Sequence, residues 1–296
     1  MYGYIQSMIR IGFSARPLEK HLKNPRPDGL GEYRRTIDII NACNRWGLHY
    51  YNMPPETVGW GDYSKYQPDE AEVERSFGPL LAEIRYLHRA YDIALSFHVR
   101  NSAVLTTRDE TIRERSIKEV AALRKGLELA GGLTVYVHPG YAQGDEPAAL
   151  QRIINILNSL DESPVTIGVE TTDVGIGDLP TVLSICKQAR GTAPVIDWGH
   201  LYDLGYTLQE PNDYLSIIET AEPFWQDYIY FHFSAVSRRK HMSLDAGPPD
   251  YRVFAKALSL YEKHANKDVI VLVESPHREA DVLLLQNYLH SLSAAA

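Results

Sequence analysis

Five apolar runs in this chain end in a side chain that binds metals or moves protons: "LSFHV" at His98, "VYVHPG" at His138, "IGVETT" at Glu170, "YIYFHFS" at His232 and "VLVESP" at Glu274. Asp197 closes a similar run in "VIDWGH", where His200 follows three residues later, and His241 lies in the segment after His232. Imidazole and carboxylate together suit Zn²⁺, Mn²⁺ or Fe²⁺. A lone histidine at a strand end is more often a hydrogen-bonded rim residue, and a lone glutamate there more often caps the next helix. Eight such residues on or just after successive strand endings are a different case. Carboxylates gathered in one place repel and are driven neutral unless cations offset them. Eight donors exceed what one tetrahedral ion with an open position can use. Two or three divalent ions are therefore expected, Zn²⁺ first, with Mn²⁺ or Fe²⁺ as alternatives. Glu170 is chemically suited to bridge two of them. The other six of the eleven histidines, His21, His49, His88, His264, His277 and His290, read as surface or packing residues, His277 in "ESPH" being the one nearest the group.

These endings meet only if the strands are parallel and finish at one rim. Apolar runs of strand length alternate with amphipathic stretches of helix length. Eight strands are predicted: Ile9–Ser14, Leu48–Asn52, Ala94–His98, Thr134–His138, Thr166–Glu170, Pro194–Asp197, Ile229–His232 and Val269–Glu274. The stretches between them carry helix signals. "RDETIRERSIKEVAALRKGLELAGG", for example, begins acidic and stops at Gly131–Gly132. Parallel strands need helical crossovers, so this alternation predicts an α/β fold, a closed (β/α)₈ TIM barrel, with an open doubly wound sheet as the alternative. "GFSARP" after the first strand is not a dinucleotide-binding G-x-G-x-x-G. One domain is expected over residues 1–296, with residues 1–8 as a loose N-terminal extension. Three segments rich in Gly, Pro and polar residues, "KNPRPDGLG", "NMPPETVGWGDYSKYQPD" and "SAVSRRKHMSLDAGPPD", read as mobile loops after strands.

Hydrophobic content of 44% and charged content of 23% are those of a globular protein. No apolar run approaches the ~20 residues of a membrane span, and no signal-peptide pattern opens the chain. The expectation is a cytoplasmic monomer with no membrane contact. Cys43 and Cys186 read as core or near-core thiols rather than a disulfide framework. A net charge of −8 argues against a broad, nonspecific nucleic-acid surface, although a local basic stripe can coexist with it.

The order His, His, Glu, Asp-x-x-His, His, loop His, Glu, carried by "SFHV", "VYVHPG", "VTIGVETT", "VIDWGHLYDLGY", "FHFSAV…KHMSLDAG" and "VLVESP", resembles the endonuclease IV family of apurinic/apyrimidinic endonucleases, within the xylose-isomerase-like TIM barrels. Ultraviolet-damage endonucleases share much of that order. The resemblance spans about Ile9 to Leu289 and implies hydrolysis of a DNA phosphodiester with three zinc ions. By it, His98 and His138 would hold one metal with bridging Glu170. Glu170, Asp197, His232 and Glu274 would surround a second, and His200 and His241 would hold a third. Glu274, Glu170 and Asp197 would be the catalytic acids, with Glu274 orienting the attacking water. Damaged duplex DNA is the partner so implied.

The chain departs from that pattern in its loops. Arg239 stands two residues before His241, where the family has a metal-ligating aspartate, and a guanidinium cannot ligate. Asp245 and Asp250 are candidate replacements. "HVRNSAV" replaces the family's aromatic–apolar wedge after the first histidine, and "NMPPETVGWG" lacks its basic residue. Arg238, Arg239 and Lys240 in "SRRKH", with Arg100 after His98, are candidate phosphate contacts. Trp60, Tyr63 and Tyr66 are candidates for stacking on a base or plugging a gap, with packing or surface roles as the default reading for any one tyrosine among 19. Two other readings compete. A sugar isomerase or epimerase of the same superfamily would need one metal at Glu170, Asp197, His232 and Glu274, but not His98 or His138. A non-catalytic metal-binding or partner-binding relative that kept the barrel is the third, and the eight retained ligand-type residues argue against it.

Overall fold

The computed structural model describes residues 8–14, 31–60 and 67–294. His21, Tyr63, Tyr66, most of "KNPRPDGLG" and all but Met8 of the expected N-terminal extension lie outside the described residues.

The barrel strands are β1 (Ile9–Ser14), β2 (Tyr50–Met53), β3 (Ala94–His98), β4 (Thr134–Val137), β5 (Thr166–Glu170), β6 (Thr192–Asp197), β7 (Tyr228–Phe233) and, after the short pair β8 (Ala235–Ser237) and β9 (Lys240–Met242), β10 (Asp268–Val273). They close in the order β1-β10-β7-β6-β5-β4-β3-β2, every pairing parallel, which is the expected eight-stranded barrel. Helices α1 (Gly31–Trp46), α2 (Glu70–Tyr91), α3 (Glu110–Ala130), α4 (Glu146–Ser159), α5 (Leu179–Gln188), α6 (Trp198–Asp203), α7 (Pro211–Ala221) and α8 (Tyr251–Glu262) supply the crossovers, and α9 (Glu279–Ala294) follows the last strand. Strands such as "DVIVLV" are buried on both faces, as a sheet enclosed by helices requires.

Boundaries move where the backbone has another partner. The second strand starts later than predicted because Leu48 donates its N–H to Cys43 O, closing the end of α1. Strand β4 stops at Val137 because Pro139 has no N–H to extend the ladder. The segment "SAVSRRKHM", read as a loop, forms an antiparallel hairpin in which Ser237 pairs with Lys240. Its two turn residues, Arg238 (φ 50°) and Arg239 (φ 63°), both take left-handed backbone. A two-residue hairpin turn requires that conformation, and it usually goes to Asn-Gly.

Beneath the mouth the barrel carries a chain of polar side chains. Asn52 donates to Ser14 Oγ (2.9 Å), Ser96 donates to Asn52 Oδ1 (2.7 Å), and the Tyr50 hydroxyl joins Ser96 (2.5 Å) and Tyr136 (2.9 Å). The Tyr136 ring in turn stands edge-on under His232, centroids 4.6 Å apart. This satisfied network fixes the floor on which the mouth residues rest.

Candidate metal centre

Glu170 ends β5 and is fully buried. Its Oε2 faces His98 Nε2 at 2.8 Å and His138 Nε2 at 3.2 Å, and its Oε1 faces His232 Nδ1 at 3.0 Å. The His98 and His232 separations are hydrogen-bond distances, and all three lie within about half an ångström of the roughly 3.3 Å that separates two ligands of a tetrahedral ion with bonds of about 2.0–2.1 Å. His98 Nδ1 lies 2.7 Å from the Val99 carbonyl and must donate to it. In the neutral ring this turns the Nε2 lone pair onto Glu170. Two acceptors at that distance need a proton or a cation between them.

On the other side of Glu170, Asp197 and His232 are register partners on β6 and β7, both fully buried. Glu274, just past β10, reaches His232 Nδ1 at 3.5 Å and His241 Nδ1 at 3.7 Å. Buried Asp197 Oδ2 and His232 Nε2 have no hydrogen-bond partner among the described residues. Such orphaned atoms, one anionic and one a lone pair or N–H, are what an ion site leaves in bare protein. Four donor sets result, each with its ligand atoms within 4.8 Å of one another: His98, His138 and Glu170; His98, His232 and Glu274; Glu170, Asp197, His232 and Glu274; and Asp197, His200 and His241.

The spacing in "DWGH" has a local cause. Asp197 is the N-cap of α6, its Oδ1 accepting from His200 N at 2.8 Å. A cap residue and the third helical residue are neighbours by construction, so His200 Nε2 comes to 3.9 Å from Asp197 Oδ2. Gly199 is required between them. A Cβ there would meet Ser234 Oγ at 2.7 Å and Val236 Cγ1 at 2.8 Å.

The acids draw positive charge onto the rings. Burial works against a charge on His98, but Glu170 and Glu274 carry it up to about 9. Burial opposes His200 likewise, and Asp197, Glu170 and Asp173 bring it to about 9. Burial would raise the Glu170 carboxyl, yet His232, His138 and His98 hold it well below the usual carboxylate range. The site favours cations, protons or metals, over bare carboxylates.

Asp173 was not among the residues picked out from the sequence. Its side chain is 7% exposed, with Oδ1 at 3.1 Å from His200 Nδ1 and Oδ2 at 3.2 Å from Arg239 Nε. It orients His200 from behind, leaving Nε2 toward Asp197. The available signal was its place three residues after a strand-ending glutamate, the same interval as in "DWGH". The replacements suggested for the missing loop aspartate lie elsewhere. Asp245 accepts from Ser243 Oγ (2.6 Å), and Asp250 caps α8 through Arg252 N (2.8 Å).

Two further expectations are corrected. Arg100 does not face the mouth. Its guanidinium grips buried Glu119 through Nε (2.9 Å) and Nη2 (2.6 Å) and lies over the Trp60 ring, centroid 5.6 Å away. Trp60 is itself fully buried and donates Nε1–H to Pro68 O, so it offers no open face to a base. Arg238, Arg239 and Lys240 are exposed on the hairpin, and Arg239 lines the same cavity of ≈ 450 Å³ as His98, His138, His200, His241 and Glu274. His277 is exposed, with Nδ1 4.0 Å from Asp281 Oδ1, outside these sets.

A family model described as xylose isomerase-like TIM barrel matches residues 40–289. A UV DNA damage endonuclease of Bacillus velezensis is 29% identical over 124 residues, which are 40% of this chain and only 38% of that relative's length. Among solved structures, SacUVDE aligns with a TM-score of 0.77 at 17% identity, over 96% of this chain and 99% of that one. A D-tagatose 3-epimerase-like protein (TM-score 0.66, 15% identity, 97% and 99% coverage) and endonuclease IV from Thermus thermophilus (0.65, 15%, 97% and 100%) follow. At these identities the three structures share the fold.

Proposed function

The chain belongs to the xylose isomerase-like TIM barrel family, and within it we propose a metal-dependent endonuclease that hydrolyses a DNA phosphodiester at damaged sites, abasic sites or ultraviolet lesions. The observation that carries this reading is the pair His98 and His138 on Glu170 Oε2, opposite His232 on Oε1. A single ion at Glu170, Asp197, His232 and Glu274 would leave that pair unused. Two or three ions would use all eight donors: His98, His138 and Glu170 for one; Glu170, Asp197, His232 and Glu274 for another; and His200 and His241 beside Asp197 for a third. Zn²⁺, Mn²⁺ or Fe²⁺ held there supplies Lewis acidity, activating water near neutral pH and offsetting phosphate charge.

The protein's own groups do the rest. Glu274 is the most open carboxylate of the cluster, with 19% of its side chain exposed against 1% for Glu170. An entering water therefore meets Glu274 first, and we assign it the role of orienting that water and taking its proton. Asp197 and Glu170 are fixed and buried, suited to hold ions rather than exchange protons. Arg239 projects from the hairpin over the same cavity, where its guanidinium can pair with a phosphate oxygen. Arg238 and Lys240 extend that cationic edge. The fold shared with DNA repair endonucleases, together with the resemblance in metal-site order, supports the assignment.

The epimerase likeness keeps a second reading open, one ion at the four-residue set acting on a sugar. Metal analysis and cleavage separate the two. The nuclease reading expects two or three equivalents of metal, with nicking of duplexes carrying an abasic site or ultraviolet photoproducts in preference to intact duplex. One equivalent, with none of the duplexes cut in Zn²⁺ or Mn²⁺, would rule it out.

A further inference from the structure

Eight large apolar side chains are exposed among the described residues, Met8, Tyr86, Ile112, Tyr141, Val174, Tyr202, Leu204 and Leu260. Two of them, Tyr141 (51% exposed) and Val174 (40% exposed), also line the cavity that holds the metal-site residues. Solvent-exposed apolar side chains on loops are normally free to turn away from water. The backbones here are pinned. Tyr141 N donates to Thr106 Oγ1 at 2.9 Å, and the Val174 carbonyl accepts from Thr172 Oγ1 at 2.7 Å. Ile176 N donates to Gly140 O at 3.0 Å, which ties the two loops together. Gly175 is the point of contact. A Cβ on it would lie 2.0 Å from Gly140 O, and its φ of 72° suits glycine. The strip then continues through Asp173, next to Val174 in the chain, to Arg239 at 3.2 Å. An aromatic ring, a branched aliphatic side chain and a guanidinium thus line the same cavity, the first two on pinned backbone.

We infer that this strip is a nucleotide subsite, in which Tyr141 stacks on a base flanking the scissile phosphate, Val174 packs against the edge of that base or its sugar, and Arg239 pairs with the neighbouring phosphate. The inference rests on the nuclease reading above. A base has an apolar face and a phosphate within one nucleotide, which is the order of surfaces that the strip presents. It also supplies a surface for the substrate where the segment after His98 carries no aromatic residue. With Trp60 buried and Arg100 committed to Glu119, these side chains are, among the described residues, the exposed apolar and cationic groups that line the cavity.

The test is equilibrium binding, by fluorescence anisotropy, of the metal-loaded protein to a labelled duplex with an abasic analogue or a photoproduct, phosphorothioate linkages flanking the lesion to slow cutting. Binding is followed from 50 to 300 mM salt for wild type, Tyr141→Ala, Tyr141→Phe and Arg239→Ala, with metal content assayed for each. Tyr141→Ala is expected to bind roughly 5- to 100-fold more weakly with an unchanged salt slope, because stacking releases no counterions. Tyr141→Phe retains wild-type affinity. Arg239→Ala lowers the slope of log K against log salt by about 1. Wild-type affinity in Tyr141→Ala overturns the subsite while leaving the nuclease reading standing. Loss of metal in Tyr141→Ala overturns it also, by making the ring structural. Wild-type protein that binds neither duplex removes both.

Discussion

At the scale of single residues, the proposed function turns on which carboxylates would hold ions and which would handle water. Glu274→Gln keeps the shape and an oxygen donor but removes the base. We expect turnover to fall below detection while the melting temperature stays within a degree or two, measured on the same preparation. Near-normal rates would remove Glu274 from its role. Asp173 acts at one remove, through His200 Nδ1 at 3.1 Å. Partners of this kind typically set metal affinity by 10–100-fold. Asp173→Ala should therefore give up its weakest-held metal equivalent at roughly a tenth of the chelator concentration that wild type withstands, in a titration followed by metal analysis. An unchanged titration would leave Asp173 as a partner of Arg239 alone. The eight donors were legible as residue types at strand ends, because a periodic apolar run followed by a metal-binding side chain is a local pattern. Asp173 was not picked out, because it sits outside the apolar run and its value comes from Arg239 and His200, distant in sequence.

At the scale of elements, caps and turns aim the side chains. The N-cap bond from His200 N to Asp197 Oδ1 makes one short helix both a structural unit and the carrier of a candidate ligand. Gly199→Ala forces a methyl to 2.7 Å from Ser234 Oγ. Overpacking of this sort costs about 1–3 kcal/mol. Chemical denaturation should find that loss, together with weaker metal retention as α6 shifts; a variant as stable as wild type would mean that the β7–β8 junction yields instead. The hairpin after β7 shows the limit of local reading. Arg-Arg is a poor sequence for a turn with both residues left-handed, so its strands do not announce themselves. The pairing of Ala235 with Met242 and the tie from Arg239 to Asp173 hold the turn in place.

For the whole molecule, Glu170, Asp197 and His232 are drawn from three strands to one place, each with no solvent exposure of its own. Carboxylates so placed depend on positive charge for their stability. Ions that bind only the folded chain add to its stability by mass action. Dialysis against a strong chelator should lower the melting temperature by several degrees, and Zn²⁺ or Mn²⁺ should restore it. A melting curve indifferent to both would mean that the folded site takes no ion. The strand–helix alternation, the parallel barrel and the rim position of the donors followed from the sequence alone, because hydrophobic periodicity and the crossover rule act locally and repeat along the chain. The loop chemistry did not follow. Arg100 and Trp60 read as exposed contacts, yet their place was decided by Glu119 and by packing from other elements. Tyr141 and Val174 were set at the mouth by hydrogen bonds between loops far apart in the sequence. Periodic elements are written into neighbouring residues, whereas the surroundings of a loop side chain exist only once the chain has closed on itself.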